Sequence, residues 1–101
     1  MTSWTEGAIS ETIRKTILFE GLELDGLGVK LEDLERETML LSEEGLALDS
    51  VDALEIIVEV QKIFDLSISN LNTDFFETNL QTVGTLVEYV AAALNIPTET
   101  T

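Results

Sequence analysis

The residues best suited to chemistry in this sequence are a serine and two carboxylates at the predicted start of a helix. Asp49, Ser50 and Asp52 lie together in the run Asp-Ser-Val-Asp, and the apolar periodicity that follows predicts a helix over residues 50–64. Such residues most often only cap a helix, because Asp49 is a favourable N-cap and an acid three residues later favours the helix dipole. A helix N-terminus also accommodates phosphate, so the Ser50 hydroxyl is well placed to carry a phosphodiester.

The composition excludes most ways in which the chain could act as a catalyst by itself. Its 101 residues include no His and no Cys, so the commonest general base, thiolate nucleophiles and sulfur-ligated metals are all missing. The paired carboxylates Asp49/Asp52 and Glu43/Glu44 have no basic or hydrophobic neighbours that could separate an acid from a base, which disfavours a hydrolase. Any thiol or acyl chemistry must be brought in from outside.

An EF-hand calcium site is a rival interpretation that the sequence disfavours. Asp65, Ser67 and Ser69 match the first three ligand positions of the calcium loop in spacing. However, Asn70 stands where the loop needs glycine, and Phe76 stands where the bidentate glutamate belongs. We therefore expect no metal site.

The charge of the chain indicates what it can bind. Twenty acidic residues against five basic ones give a formal charge of −15, which repels nucleic acid and anionic lipid and attracts basic protein surfaces. No apolar run approaches the ~20 residues of a membrane span, and residues 1–10 lack the features of a signal peptide. We expect a cytoplasmic monomer that neither binds nucleic acid nor inserts into a membrane.

The hydrophobic periodicity predicts an all-α fold with four helical stretches and one long loop. The helices are expected at about residues 5–20, 50–64, 72–77 and 83–94. Ser3 and Glu6 have the spacing of a capping box for the first helix, and Thr82 is the expected N-cap of the last. The loop, residues 21–48, contains a possible turn around 31–34 and leucines expected to pack onto the domain. Residues 1–4 are predicted to be an arm, 5–94 a single domain and 95–101 a frayed tail.

The helix over residues 50–64 carries two apolar faces. At about 100° per residue, its wide face is the expected core side. On the far side lies a second apolar line, here called the outer line, formed by Val51, Leu54 and Val58. Two interpretations fit this line equally: it is an exposed docking surface, or the long loop folds over it. Six acidic residues between positions 43 and 59, with no basic one, favour a basic, partly apolar partner.

These features together resemble the acyl carrier protein family. The run Gly45-Leu46-Ala47-Leu48-Asp49-Ser50-Val51-Asp52-Ala53-Leu54-Glu55 is similar to the family's phosphopantetheine attachment motif. Phe64-Asp65 at the helix end and Thr82-Val83-Gly84-Thr85-Leu86-Val87 at the start of the last helix also resemble the family. The resemblance extends from the first helix to about Leu94.

The resemblance implies an up-and-down four-helix bundle with a short third helix and a long first loop. It implies that Ser50 carries 4′-phosphopantetheine, attached by a phosphopantetheinyl transferase to which Asp49 helps present the serine. The terminal thiol of the arm would hold an acyl chain as a thioester. Acyl-transferring and chain-modifying enzymes with basic docking surfaces would read one face of the helix, formed by Val51, Asp52, Leu54, Glu55, Val58 and Glu59.

The same resemblance implies a non-catalytic carrier of acyl intermediates in fatty-acid, polyketide or related lipid biosynthesis. Ala47 and Leu48 replace the glycine and small residue often found before the Asp-Ser pair. Gln61 and Lys62 occupy positions that are often acidic in carriers for fatty acid synthesis, so a specialised pathway is an alternative to a standard fatty acid synthase. The alternative is an acidic helical adaptor that keeps the docking face and has no prosthetic group. Whether Ser50 can be modified distinguishes the two.

Overall fold

Helices make up the regular secondary structure of the part of the chain that the computed structural model describes, residues 4–68 and 72–96. The all-α prediction is therefore confirmed. No helix among these residues is long and apolar enough to cross a membrane. The elements, in chain order, are α1 (Glu6–Glu11) with its π-helical continuation (Thr12–Glu20), two short 3₁₀ helices (Leu24–Leu27 and Leu31–Asp33), α2 (Ser50–Phe64), α3 (Thr73–Asn79) and α4 (Val83–Ala93).

The first helix has Thr5 as its N-cap and changes from α-helical to π-helical winding at Thr12. Thr5 is the N-cap, and its hydroxyl accepts a hydrogen bond of 3.1 Å from the amide of the third helical residue. The predicted capping box of Ser3 and Glu6 is therefore wrong, because Thr5 is the N-cap and Glu6 is the first helical residue. Ser3 itself lies outside the described residues. The predicted helical range is confirmed, although residues 12–20 are wound as a π-helix.

The remaining helices begin at the caps that the sequence predicts. Asp49 caps α2 and Thr82 caps α4, each in a capping box. Asn72 caps α3 through a 2.8 Å hydrogen bond from the Phe75 amide to its side-chain oxygen. This helix ends at Asn79, two residues later than predicted. Each cap satisfies amides that a helix start otherwise leaves without partners.

The core lies between the first helix, α2 and α4. Every buried side chain in the described residues is apolar. Burial of a polar group without a hydrogen-bond partner would be unfavourable, and this core contains none. α1 packs against α4, and the π-helical segment packs against α2. The main buried side chains are Ile9, Ile13, Ile17, Leu18, Leu24, Leu34, Leu40, Ile56, Ile57, Val60, Leu80, Val83, Leu86, Val87 and Val90.

The long loop is tied to the start of α4 by its residues 36–40, here called the loop strap. Three backbone hydrogen bonds of 2.9–3.0 Å join the two segments, from Leu40 N to Gln81 O, from Val83 N to Thr38 O and from Gly84 N to Arg36 O. An isolated antiparallel β-bridge pairs Met39 with Thr82 at the centre of these bonds. The Arg36 side chain adds ion pairs to Glu88 at 3.2 Å and to Glu6 at 3.6 Å.

The loop packs onto the domain as its leucines predict. Leu34 and Leu40 are fully buried, and Leu31 and Leu41 are half-buried against the core. The turn expected near position 31 is present as the second 3₁₀ helix, whereas the first one, Leu24–Leu27, was not predicted.

The two ends of the described domain are held by specific contacts. The Trp4 ring lies 4.6 Å from the Phe64 ring, measured between centroids. At the other end, the Ile96 amide donates a 2.8 Å hydrogen bond to the Ala91 carbonyl, and the Ile96 side chain packs against the core. Residues 97–101 of the predicted tail lie outside the described residues, as do positions 69 and 70 of the calcium interpretation.

Candidate functional site

Ser50 is the first residue of α2 and is exposed to solvent. Asp49, the N-cap, accepts a 2.9 Å hydrogen bond from the Asp52 amide through Oδ1, and Asp52 Oδ2 accepts a 3.4 Å hydrogen bond from the Asp49 amide. The two predicted carboxylates therefore form a reciprocal capping box on either side of the serine in sequence. This arrangement fixes the start of the helix while leaving the serine at the surface.

The segment before Ser50, residues 45–49, is held by backbone hydrogen bonds to the loop strap. The Leu46 amide donates to the Met39 carbonyl and the Leu48 amide donates to the Leu40 carbonyl, each at 2.9 Å. The Leu48 side chain is buried, which anchors the chain just before the helix begins. The position of Ser50 therefore depends on both its own helix and the strap.

Two small residues, Gly45 and Ala47, have special backbone requirements in this segment. At Gly45 a Cβ atom would collide with the carbonyl oxygen of Met39, so glycine is required for the strap and the segment to lie side by side. Ala47 adopts a left-handed conformation, with φ of 54°, which is unfavourable for an L-residue other than glycine, asparagine or aspartate. Ala47 is also one of the two residues that replace the glycine and small residue often found before the Asp-Ser pair.

The outer line of α2 is exposed along its length. Relative exposure is 61% at Val51, 45% at Leu54 and 48% at Val58. The loop leucines Leu31, Leu34, Leu40 and Leu41 pack onto the core instead. The outer line stays exposed, so the interpretation that the long loop covers it is wrong. Three aliphatic side chains in a row on one helix face, all open to solvent, form an apolar surface available to a partner.

Acidic side chains border this apolar surface. Asp52 and Glu59 are partly exposed and Glu55 is exposed on the same helix. Near the lower end, Lys62 Nζ lies 3.5 Å from Glu59 Oε2, so one carboxylate is partly neutralised within the chain. Surface pairs of this kind contribute little to stability, about 0–1 kcal/mol. The predicted docking residues therefore share one face, with negative charge at its edges.

One residue beside this face was missed by the sequence analysis. Leu22, which follows the first helix, lines a groove together with the outer line of α2. Periodicity within α2 could not reveal it, because Leu22 belongs to a different part of the chain. The only sequence signal was an apolar residue directly after Gly21, where the first helix ends.

The described fold is all-α, and its long helix α2 begins with an exposed serine beside an acidic and apolar face. These are the features of a carrier domain. No family model matches the chain. It is 39% identical over 64 residues to an acyl carrier protein of Phytoplasma australiense, an alignment that covers 63% of this chain and 75% of the relative. It is 49% identical over 35 residues to an acyl carrier protein of Onion yellows phytoplasma (strain OY-M), covering 35% of this chain and 46% of the relative. The chain belongs to the acyl carrier protein family.

Proposed function

We propose that the chain carries acyl intermediates as thioesters on a 4′-phosphopantetheine arm attached to Ser50. The observation that carries the proposal is an exposed serine at the first position of α2, directly after an aspartate N-cap, in a chain of this family. The arm supplies the thiol that this sequence lacks, since the chain has no cysteine of its own. The chain itself acts as a non-catalytic support that positions the serine and is recognised by enzymes.

The residues around Ser50 fit such an attachment. The serine is exposed, so a long substituent on its hydroxyl extends into solvent without displacing a buried side chain. The amides at a helix start carry partial positive charge, which favours a phosphodiester at this position. The Asp49 carboxylate is turned back onto the Asp52 amide, which holds its negative charge against the helix backbone.

The chain's own residues then have distinct roles. Ser50 supplies the hydroxyl, and Asp49 holds it at the helix start and helps present it to the phosphopantetheinyl transferase. The exposed face of α2 is read by acyl-transferring and chain-modifying enzymes whose docking surfaces are basic, because opposite charges steer association. The residues of this proposed docking face are Val51, Asp52, Leu54, Glu55, Val58 and Glu59.

The setting of this activity is also proposed. The enzymes served belong to fatty-acid, polyketide or related lipid biosynthesis, and the protein acts as a cytoplasmic monomer. The pairing of Lys62 with Glu59 reduces the negative charge at the lower end of α2, which supports partners other than those of a standard fatty acid synthase.

Intact-mass measurement tests the proposal directly. The chain is incubated with coenzyme A and a broad-specificity phosphopantetheinyl transferase, alongside Ser50→Ala and the control Ser67→Ala, which removes an exposed serine away from the helix start. We expect the parent and the control to gain one phosphopantetheine and Ser50→Ala to gain none. No gain on the folded parent would contradict the carrier proposal and leave the acidic adaptor as the better interpretation.

A further inference from the structure

The outer line of α2 forms one wall of an open groove whose other wall is the end of the first helix. The groove has a volume of about 470 Å³, which is within the usual range for binding pockets, roughly 300–1,000 Å³. Five of its eight lining residues are aliphatic and two are glutamates. The lining residues are Ile17, Gly21, Leu22, Val51, Leu54, Glu55, Val58 and Glu59.

The wall opposite α2 is shaped by the way in which the π-helical segment ends. The Gly21 amide bonds to the Thr16 carbonyl at 3.0 Å, five residues back, and the Leu22 amide bonds to the Leu18 carbonyl at 3.1 Å. At Gly21 a Cβ atom would collide with the Ile17 carbonyl oxygen, so this turn is closed by a residue without a side chain. The half-buried Leu22 side chain follows this turn and lines the groove together with the outer line.

We propose that Leu22 belongs to the docking face, so that the apolar side chains of a basic partner helix contact the groove between the first helix and α2 and not α2 alone. The proposal rests on the carrier function and extends its docking face beyond α2. From Val51 to Val58 the helix rises about 10 Å, two turns, which suits anchors spaced three or four residues apart on a partner helix.

Charge identifies the kind of occupant. Glu55 and Glu59 line the groove, and the chain as a whole carries a formal charge of −15. A second copy of this chain would bring the same charge to the interface and be repelled. A helix with lysine or arginine beside its apolar anchors would instead place positive charge against these two carboxylates while its anchors contact the apolar lining.

Two leucine variants test the role of Leu22. Leu22→Ala shortens the groove wall, whereas Leu27→Ala removes a more exposed leucine, 74% accessible, which does not line the groove. The measured quantity is the KM of a purified broad-specificity phosphopantetheinyl transferase for each unmodified chain, with kcat recorded separately. We expect Leu22→Ala to raise KM about tenfold, equivalent to about 1.4 kcal/mol, with kcat unchanged. Leu27→Ala is expected to leave both constants at the parent values.

The outcomes separate this inference from the carrier function. If both variants keep the parent KM, the groove is not a docking site, although the carrier function stands. If the parent is not modified at all, the carrier function itself is wrong. If the circular dichroism of Leu22→Ala shows that this variant does not fold, the role of Leu22 is tested in the parent chain by methyl NMR. Addition of the transferase without coenzyme A is then expected to shift the Leu22 methyl signals and not those of Leu27. Unshifted Leu22 signals at saturating transferase overturn the inference.

Discussion

Ala47 provides the sharpest test of the backbone in front of Ser50. Its φ of 54° places an alanine in the left-handed region, which costs an L-residue about 1–2 kcal/mol. Glycine adopts this conformation freely but loses about 0.4–1 kcal/mol more conformational entropy on folding. Ala47→Gly is therefore expected to stabilise the domain by about 0.5–1 kcal/mol, the difference between the two effects.

Urea unfolding at equilibrium measures this change. The ring of the single tryptophan, Trp4, packs at a tilt against Phe64, so its fluorescence reports loss of this contact on unfolding. Far-ultraviolet circular dichroism reports the helices independently. In thermal unfolding the same stabilisation corresponds to a rise in Tm of about 2–8 °C for a domain of this size.

A second alanine gives the matched control with the opposite sign. Ala92 is exposed in α4 and has ordinary helical geometry, so Ala92→Gly is expected to destabilise the domain by up to about 1 kcal/mol. If Ala92→Gly destabilises as expected and Ala47→Gly also lowers the stability, then Ala47 does not hold a left-handed conformation in solution, and the argument from its φ angle is refuted.

Three further predictions concern the same region and the docking surface. Gly45→Ala is expected to lower the free energy of unfolding by about 2–4 kcal/mol, through the clash with Met39 and loss of a strap hydrogen bond. As the control, Gly26→Ala adds a methyl group in open space and should change the free energy of unfolding, measured in urea, by less than about 0.5 kcal/mol. Asp49→Ala should cost about 1 kcal/mol by loss of the N-cap, whereas Asp49→Asn keeps the cap; equal Tm values for the two variants would contradict this role. Association with a basic transferase, followed by stopped-flow fluorescence, should slow as ionic strength rises, and a salt-independent rate would argue against electrostatic steering.

The helices could be predicted because their signals are local. α2 begins and ends where its capping aspartate and its apolar stripes place it, and its outer line is exposed as one of the two interpretations predicts. The choice between those interpretations needed the structure, since the sequence does not show where the loop leucines go. The groove wall at Leu22 could not be predicted for the same reason: its contacts join distant parts of the chain.

The π-helical winding of residues 12–20 was also not predicted, but for a different reason. Ile9, Ile13 and Ile17 repeat at a strict interval of four and are all buried. In an α-helix with 3.6 residues per turn such a repeat drifts around the axis, whereas the i→i+5 bonding of a π-helix places more residues in each turn and keeps them closer to one line. The interval is compatible with both windings, so periodicity alone could not separate them.

The loop strap has a consequence for how the domain opens. Leu40 donates its amide to Gln81 and accepts the Leu48 amide on its carbonyl, so a single residue joins the start of α4 to the segment before Ser50. Lifting that segment away breaks bonds that also hold the strap, and the loop and helices should therefore unfold as one cooperative unit. The amides of Leu48 and Val83 should then exchange with solvent deuterium at the same opening free energy, although 35 positions separate them in the sequence.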